Sequence, residues 1–190
     1  MDDVRTEIED LIQGLKNPDP DQSQLADEAL RNFAALAVEP LTQALQNATD
    51  RQQWRIINTL TKIDDPRVVS AMIMCLQSDS PAIHGVAAQY LGQSGDQRAV
   101  EPLIDSLFAR RKGSLIWAIQ ALGFLGDRRA VQPLIEIMNH TESSAERYTA
   151  IEALGRIGDT TALDAIQSYR NDECHHVRNR VQVAIKLLAS

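Results

Sequence analysis

The stretch "GDQRAVEPLI", beginning at Gly95, returns as "GDRRAVQPLI" beginning at Gly126, with eight of ten residues the same and an offset of 31 positions. A period of this length constrains the fold more than any other feature of the chain, because repeats of 20–50 residues mark stacked supersecondary units. The phase extends in both directions. "DDPRVVSAMI" begins at Asp64 and "GDTTALDAIQ" at Gly158, the last interval being 32, with one residue inserted near "NHTESS". Upstream, "LAVEPLTQAL" sets Pro40 in the place taken by Pro102 and Pro133, but without the Gly-Asp pair.

Each unit has a second half, "WRIINTLTKIDD", "GVAAQYLGQSGD", "IWAIQALGFLGD" and "YTAIEALGRIGD", ending at Asp65, Asp96, Asp127 and Asp159. Both halves carry helical spacing. Val100, Leu103, Ile104 and Leu107 fall at i, i+3, i+4 and i+7, and so do Ala118, Ile119, Leu122 and Leu125. Pro102 and Pro133 are expected in a first helical turn, where the missing N–H has no partner to lose. The Gly of Gly-Asp suits a left-handed C-cap, and the Asp after it can cap the next helix.

The spacing predicts six helical hairpins: 3–16 and 21–37, 38–47 and 50–63, 66–77 and 80–93, 97–109 and 112–125, 128–139 and 142–157, and 160–170 and 173–189. One hairpin cannot bury its apolar face alone, so the expected fold is an all-α superhelix, an α-solenoid of about six hairpins. With no internal linker, 1–190 reads as one domain. The glycine inside "LGxxGD", at Gly92, Gly123 and Gly155, costs about 1 kcal/mol relative to Ala in a helix. Its recurrence points to close approach of the neighbouring unit's backbone. The last copy, "HHVRNRVQVAIKLLAS", lacks Gly-Asp, as expected of a final repeat.

Composition agrees with helices: 44% hydrophobic residues, 4% aromatics and nine glycines. A net charge of −7 disfavours general nucleic-acid binding. Cys75 and Cys174 make no disulfide framework or metal knuckle. The acidic start lacks the apolar run of a signal peptide, and no stretch approaches the roughly 20 apolar residues of a membrane span. The expectation is therefore a cytoplasmic chain with reduced thiols, no nucleic-acid partner, no membrane insertion and no metal. No P-loop, dinucleotide fingerprint, nucleophile elbow or zinc spacing is present.

These units resemble HEAT repeats, in particular the short type named after phycobilisome (PBS) lyases: Asp, then Val-Arg, Ala-Ala, Ala-Leu-Gly, Gly-Asp, Arg-Ala-Val and Pro-Leu. Units three to five match at most positions, and in unit six Asp172, Val177 and Arg178 stand in the expected places. The resemblance implies the solenoid fold. It also implies a choice of roles, since similar repeats occur in bilin lyase subunits, in proteins of phycobilisome turnover, in deoxyhypusine hydroxylase and in scaffolds. The hydroxylase type carries His-Glu pairs that hold iron. None of the four histidines here (84, 140, 175 and 176) is followed by Glu, so that chemistry is expected to be absent.

In a solenoid the second helices line the concave side, and function is expected where the copies differ. Aligned on the Leu-Gly step, the first variable row includes Trp54, Arg55, Trp117, Tyr148, Asn179 and Arg180, the second is Asn58, Gln89, Gln120, Glu152 and Val183, and the third is Lys62, Gln93, Phe124, Arg156 and Leu187. Trp, Tyr and Arg are the residues most enriched at binding hot spots. Such a surface suits a partner protein, for instance a phycobiliprotein, its complex or a second HEAT-repeat subunit. It also suits a flat carboxylate-bearing ligand such as a bilin tetrapyrrole, with no other cofactor implied. The alternative for these aromatics is packing against the adjacent repeat.

His84 stands where Arg147 and Arg178 stand in later units. It is either a ligand-facing acid/base or a helix residue bonded across repeats, while the two arginines are expected to pair with Asp or Glu between units. Cys174 beside His175 is either a reactive thiolate or an exposed helix start. His175 and His176, adjacent on a helix and about 100° apart, are poorly placed to share one ion. Cys75 reads as core, and "ARRKGS" at 109–114 as a solvated basic turn or an acidic partner's contact. No catalytic residue is assigned. The reading is an interaction scaffold binding a partner on its concave face, the alternative being a bilin lyase subunit that attaches or transfers a tetrapyrrole to a phycobiliprotein cysteine.

Overall fold

The computed structural model describes residues 2–109 and 115–189. It contains twelve α-helices and three short 3-10 turns, with no strand among the described residues. The basic residues Arg110, Arg111 and Lys112 of "ARRKGS" lie outside the described residues. Contacts group the chain into two compact units, 1–87 and 88–190.

The first unit holds α1 (Asp2–Leu15), α2 (Pro20–Phe33), α3 (Ala35–Leu45), α4 (Asp50–Leu60), α5 (Arg67–Cys75) and the start of α6 (Pro81–Ser94). Its core is aliphatic, with Ile8, Leu15, Leu30, Leu41, Ile56, Leu60 and Met72 buried. Asp19 caps α2 by accepting from the Asp21 N–H, with Pro20 in the first helical position. The step from α2 to α3 differs from the sequence reading. The break comes at Ala34 rather than after 37, and Ala34 makes it alone at φ +44. Pro40 therefore sits inside α3 and not in its first turn. The missing Gly-Asp pair explains the difference: without a glycine to leave the helix, the chain turns on one strained alanine and re-enters a helix at once.

The second unit holds the rest of α6, then α7 (Val100–Phe108), α8 (Leu115–Leu125), α9 (Val131–His140), α10 (Ser144–Ile157), α11 (Leu163–Gln167) and α12 (His175–Leu188). The repeated Gly-Asp behaves as its chemistry dictates. Gly95, Gly126 and Gly158 adopt φ between +68 and +77. The carboxylates of Asp96, Asp127 and Asp159 accept from the N–H two residues on. Each capped segment is first a 3-10 turn (Gln97–Ala99, Arg128–Ala130, Thr160–Ala162) and becomes α-helical three residues later than the periodicity suggests. Pro102 and Pro133 fall in the first α-turn, as expected.

The glycines inside the second helices have a packing role. A Cβ on Gly92 would stand 2.7 Å from Ala121 Cα, one on Gly123 2.9 Å from Ala153 Cα, and one on Gly155 3.0 Å from Ala184 Cβ. At these three steps one second helix lies against the next with backbone nearly touching backbone, glycine against alanine. The second helices α8, α10 and α12 are consequently held side by side as one layer.

Candidate protein-binding face

The apolar positions of α8 are spent on its neighbours: Ala118, Ile119, Ala121, Leu122 and Leu125 are buried. Helical geometry leaves Trp117, Gln120 and Phe124 on the opposite side, at i, i+3 and i+7. Trp117 is 41% exposed and Phe124 57%. On α10 the same logic turns Tyr148, Glu152 and Arg156 outward. On α12 it turns out His176, Asn179, Arg180, Val183 and Leu187, the last two about half exposed. The packed layer α8–α10–α12 therefore presents three parallel rows on one face.

The rows touch. The Arg156 guanidinium lies over the Phe124 ring, 4.5 Å from its centre. Its Nη2 donates to Glu152 Oε1 at 2.9 Å, while Arg180 Nε pairs with Glu152 Oε2 at 3.2 Å. One carboxylate thus bridges two arginines on adjacent helices. Gln120, Phe124, Thr149, Glu152, Ala153 and Arg156 line a shallow hollow of about 130 Å³. Beside it, Tyr148, His176, Asn179, Arg180 and Val183 line another of about 330 Å³. The alternative raised for the aromatics, burial against the next repeat, does not describe Trp117 or Phe124, which keep large exposed areas.

Seven residues singled out in the sequence meet on this face: Trp117, Gln120, Phe124, Tyr148, Glu152, Arg156 and Arg180. Val183 and Leu187, which end the second and third variable rows, belong with them, as does His176, which the rows leave out. The signal for His176 was there, since it continues the 3–4 spacing that runs through Arg180. Gln89 is exposed on α6. In the first unit Trp54 is 48% exposed on α4, and Asn58 donates to the Trp54 carbonyl of its own helix.

Arg55 has a structural task. Its Nη1 donates to the carbonyls of Leu15 and Asn17, which closes the end of α1 against α4. His84 is fully buried, so its ring faces the interior and not a ligand. Arg147 pairs between repeats as expected, with Nη1 3.1 Å from Asp172 Oδ2 and Nη2 donating to the Thr141 carbonyl. Arg178 departs from that expectation, since among the described residues its Nη1 donates to the backbone carbonyls of Asp172 and Glu173. Those carbonyls belong to the loop entering α12, so Arg178 fastens its own helix start.

Cys174 stands immediately before α12 and is partly exposed. The amides of Val177 and then His176 favour its thiolate, burial opposes them, the Ser144 hydroxyl helps, and Asp172 opposes; the net effect lowers the thiol below its ordinary value. The His175 and His176 rings lie against one another, with centres 3.8 Å apart. No group of three metal-ligating side chains occurs among the described residues. Cys75 is buried, and burial pushes its thiol up to about 11.

The HEAT-repeat family profile matches residues 8–83, 38–115 and 111–186. The chain belongs to the HEAT-repeat family. Among solved structures, this HEAT chain is similar to the complex of CpcE and CpcF of phycocyanin lyase from Nostoc sp. PCC7120. The TM-score is 0.68 and the identity 24%, over 80% of this chain and 64% of that one. It is also similar to a designed armadillo repeat protein in complex with the peptide (KR)4, with a TM-score of 0.65 and 16% identity over 96% and 99% of the two chains. Both likenesses are of fold. Among curated proteins, deoxyhypusine hydroxylase of Bos taurus is 35% identical over 136 residues, 72% of this chain and 35% of that protein. The Schizosaccharomyces pombe hydroxylase is 31% identical over 131 residues, 68% of this chain and 31% of that protein. The chain thus spans about a third of the length of the curated relatives it matches. No helix among the described residues is long and apolar enough to cross a membrane.

Proposed function

We propose that this HEAT-repeat chain is a scaffold that binds another protein on the face of α8, α10 and α12, and that a phycobiliprotein, or a complex containing one, is that partner. The observation that carries the reading is the set of large apolar side chains left exposed on α8 and α12, on either side of a carboxylate held between two arginines on α10 and α12. Exposed aromatics of this kind act as anchors when a partner removes them from water, and bound arginines contribute directional hydrogen bonds. A rigid backing layer lowers the ordering cost of binding. The partner's class is supported by the phycobilisome-lyase type of the repeats and by the fold likeness to the CpcE–CpcF complex.

Scaffolding is favoured over a bilin lyase role by the chemistry of the face. Its hollows are shallow and its apolar side chains stand exposed, which suits a protein surface better than the enclosing pocket a tetrapyrrole needs. The hydroxylase chemistry of the curated relatives is disfavoured by histidines that have no following Glu.

The test is binding of phycocyanin, as holo-protein and as bilin-free subunit, to the immobilised full chain. Trp117→Ala and Phe124→Ala should each weaken that binding by about tenfold or more with helicity unchanged. Absence of binding to either form would remove phycobiliprotein as the partner. Titration with free phycocyanobilin, followed by absorbance and fluorescence, separates the lyase alternative: a spectral change that Arg156→Ala and Arg180→Ala abolish would favour it.

A further inference from the structure

The charge of the chain is unevenly placed. Residues 1–87 carry 14 acidic and 7 basic side chains, whereas residues 88–190 carry 12 of each. The whole net charge of −7 therefore belongs to the first unit. Within the second unit the separation continues at the level of elements. Helix α12 has three cations, Arg178, Arg180 and Lys186, and no carboxylate, while α8 has no charged residue. On the face itself Glu152 is the single carboxylate, set against Arg156 and Arg180. Lys186 flanks the Val183–Leu187 row.

We infer that the segment this face takes from its partner is an acidic amphipathic helix, with carboxylates at its middle and apolar anchors at both ends. The inference rests on the protein-binding reading above and adds the chemistry of the occupant. The apolar rows are outermost: Trp117 and Phe124 on α8, Val183 and Leu187 on α12. The charged row lies between them. Arg180 uses Nε on Glu152, which leaves the fork of its two terminal nitrogens to receive a carboxylate in a two-point contact. Arg156 is held over Phe124 with Nη2 on Glu152 and adds its positive charge to the centre of the face. One shared Glu against two arginines leaves an excess positive charge, so a basic segment is repelled and an acidic one neutralises it.

The length follows from packing. Axes of packed helices lie roughly 8–10 Å apart, so the outer rows are about 16–20 Å apart. A helix crossing them covers that span in about 11–13 residues at 1.5 Å each. The occupant's anchors are then about i and i+11, with Asp or Glu near i+4 and i+7, positions that share one helical face.

A random 16-residue peptide library displayed on phage and selected on the full chain tests this. The recovered peptides are then measured by fluorescence polarisation against the wild type and the variants Trp117→Ala, Phe124→Ala, Arg180→Gln and Arg180→Glu. These are surface positions, and circular dichroism checks that helicity is kept. The expected result is enrichment of peptides with Asp or Glu between apolar residues. Their affinity should fall by about tenfold or more with Trp117→Ala and further with Arg180→Glu than with Arg180→Gln. Peptides that are basic or uncharged, yet still depend on Trp117 and Phe124, would overturn the acidic occupant and leave the protein-binding face standing. Peptides insensitive to every one of these variants, or no enrichment at all, would overturn both.

Discussion

A single methyl group added at Gly123 and at Gly126 should be costly for two unrelated reasons. At Gly123 it would meet the Ala153 backbone at 2.9 Å, so α8 and α10 must separate. Overpacking of this kind costs about 1–3 kcal/mol, set against a gain of about 1 kcal/mol in helix propensity. At Gly126 there is open space, but φ is +68, which costs an alanine about 1–2 kcal/mol. Thermal unfolding separates the causes. Gly126→Asn should recover much of the Tm lost by Gly126→Ala, because Asn tolerates that backbone, whereas Gly123→Ser should do no better than Gly123→Ala. Ala34→Gly is the converse case. It relieves a non-glycine at φ +44, and Tm should rise by the equivalent of about 1 kcal/mol. The two glycine roles were legible because the copies repeat them. Ala34 was not, because it occurs where a copy lacks the motif and nothing in "NFAALAVEP" marks a turn. The structural task of Arg55 was hidden for another reason: its partners, the Leu15 and Asn17 carbonyls, lie about 40 residues upstream and carry no side-chain signal.

At the scale of the element, the Asp-x-Arg start of a first helix is one chemical device used three times. Asp65, Asp96 and Asp127 each accept the N–H two residues on and also hold that residue's guanidinium, at 2.8, 2.7 and 2.9 Å. The Arg67 side chain, then its amide, hold Asp65 at about 2, and the Asp96 and Asp127 carboxyls are likewise lowered by Arg98 and Arg129. Because the folded values lie below the ordinary value of about 3.9, these groups stabilise the fold fully above that pH. That contribution is lost as pH falls, for Asp65 between about pH 4 and pH 2. Tm measured from pH 6 to pH 2 should therefore fall on the acid side, and Asp65→Asn should flatten part of that fall. A variant with the same acid slope as the wild type would show that the clasp contributes nothing. Asp127→Ala also removes a cap, at a cost of about 1 kcal/mol at neutral pH. Helix number and order were readable from periodicity alone. The 3-10 entry turns were not, since Asp-x-Arg-Ala supports either geometry.

For the whole molecule, the contrast between an acidic first unit and a neutral second unit makes a measurable statement about association. A chain of net charge −7 would be expected to repel an acidic partner, yet the face of α8, α10 and α12 carries a local positive excess. If that local charge governs docking, raising NaCl from 50 to 500 mM should slow association with an acidic segment, because the Debye length shrinks below the reach of the two arginines. Association that quickens with salt would mean that repulsion from residues 1–87 dominates. Half of this site could be read from the rows where the repeats disagree. The other half, the bridging of two arginines through Glu152, depends on how closely α10 and α12 approach, which no single row reveals.

That approach is set by residues that never meet a partner. The contacts of Gly123 with Ala153 and of Gly155 with Ala184 act as a ruler laid beneath the face. They fix the pitch between the Trp117–Phe124, Glu152–Arg156 and Val183–Leu187 rows as the teeth of a gear are fixed by its hub. Selectivity can therefore be retuned from behind. A slightly larger residue at one glycine would widen the pitch, break the shared hold on Glu152, and change which spacing of anchors a partner must bring, without altering any residue that touches it.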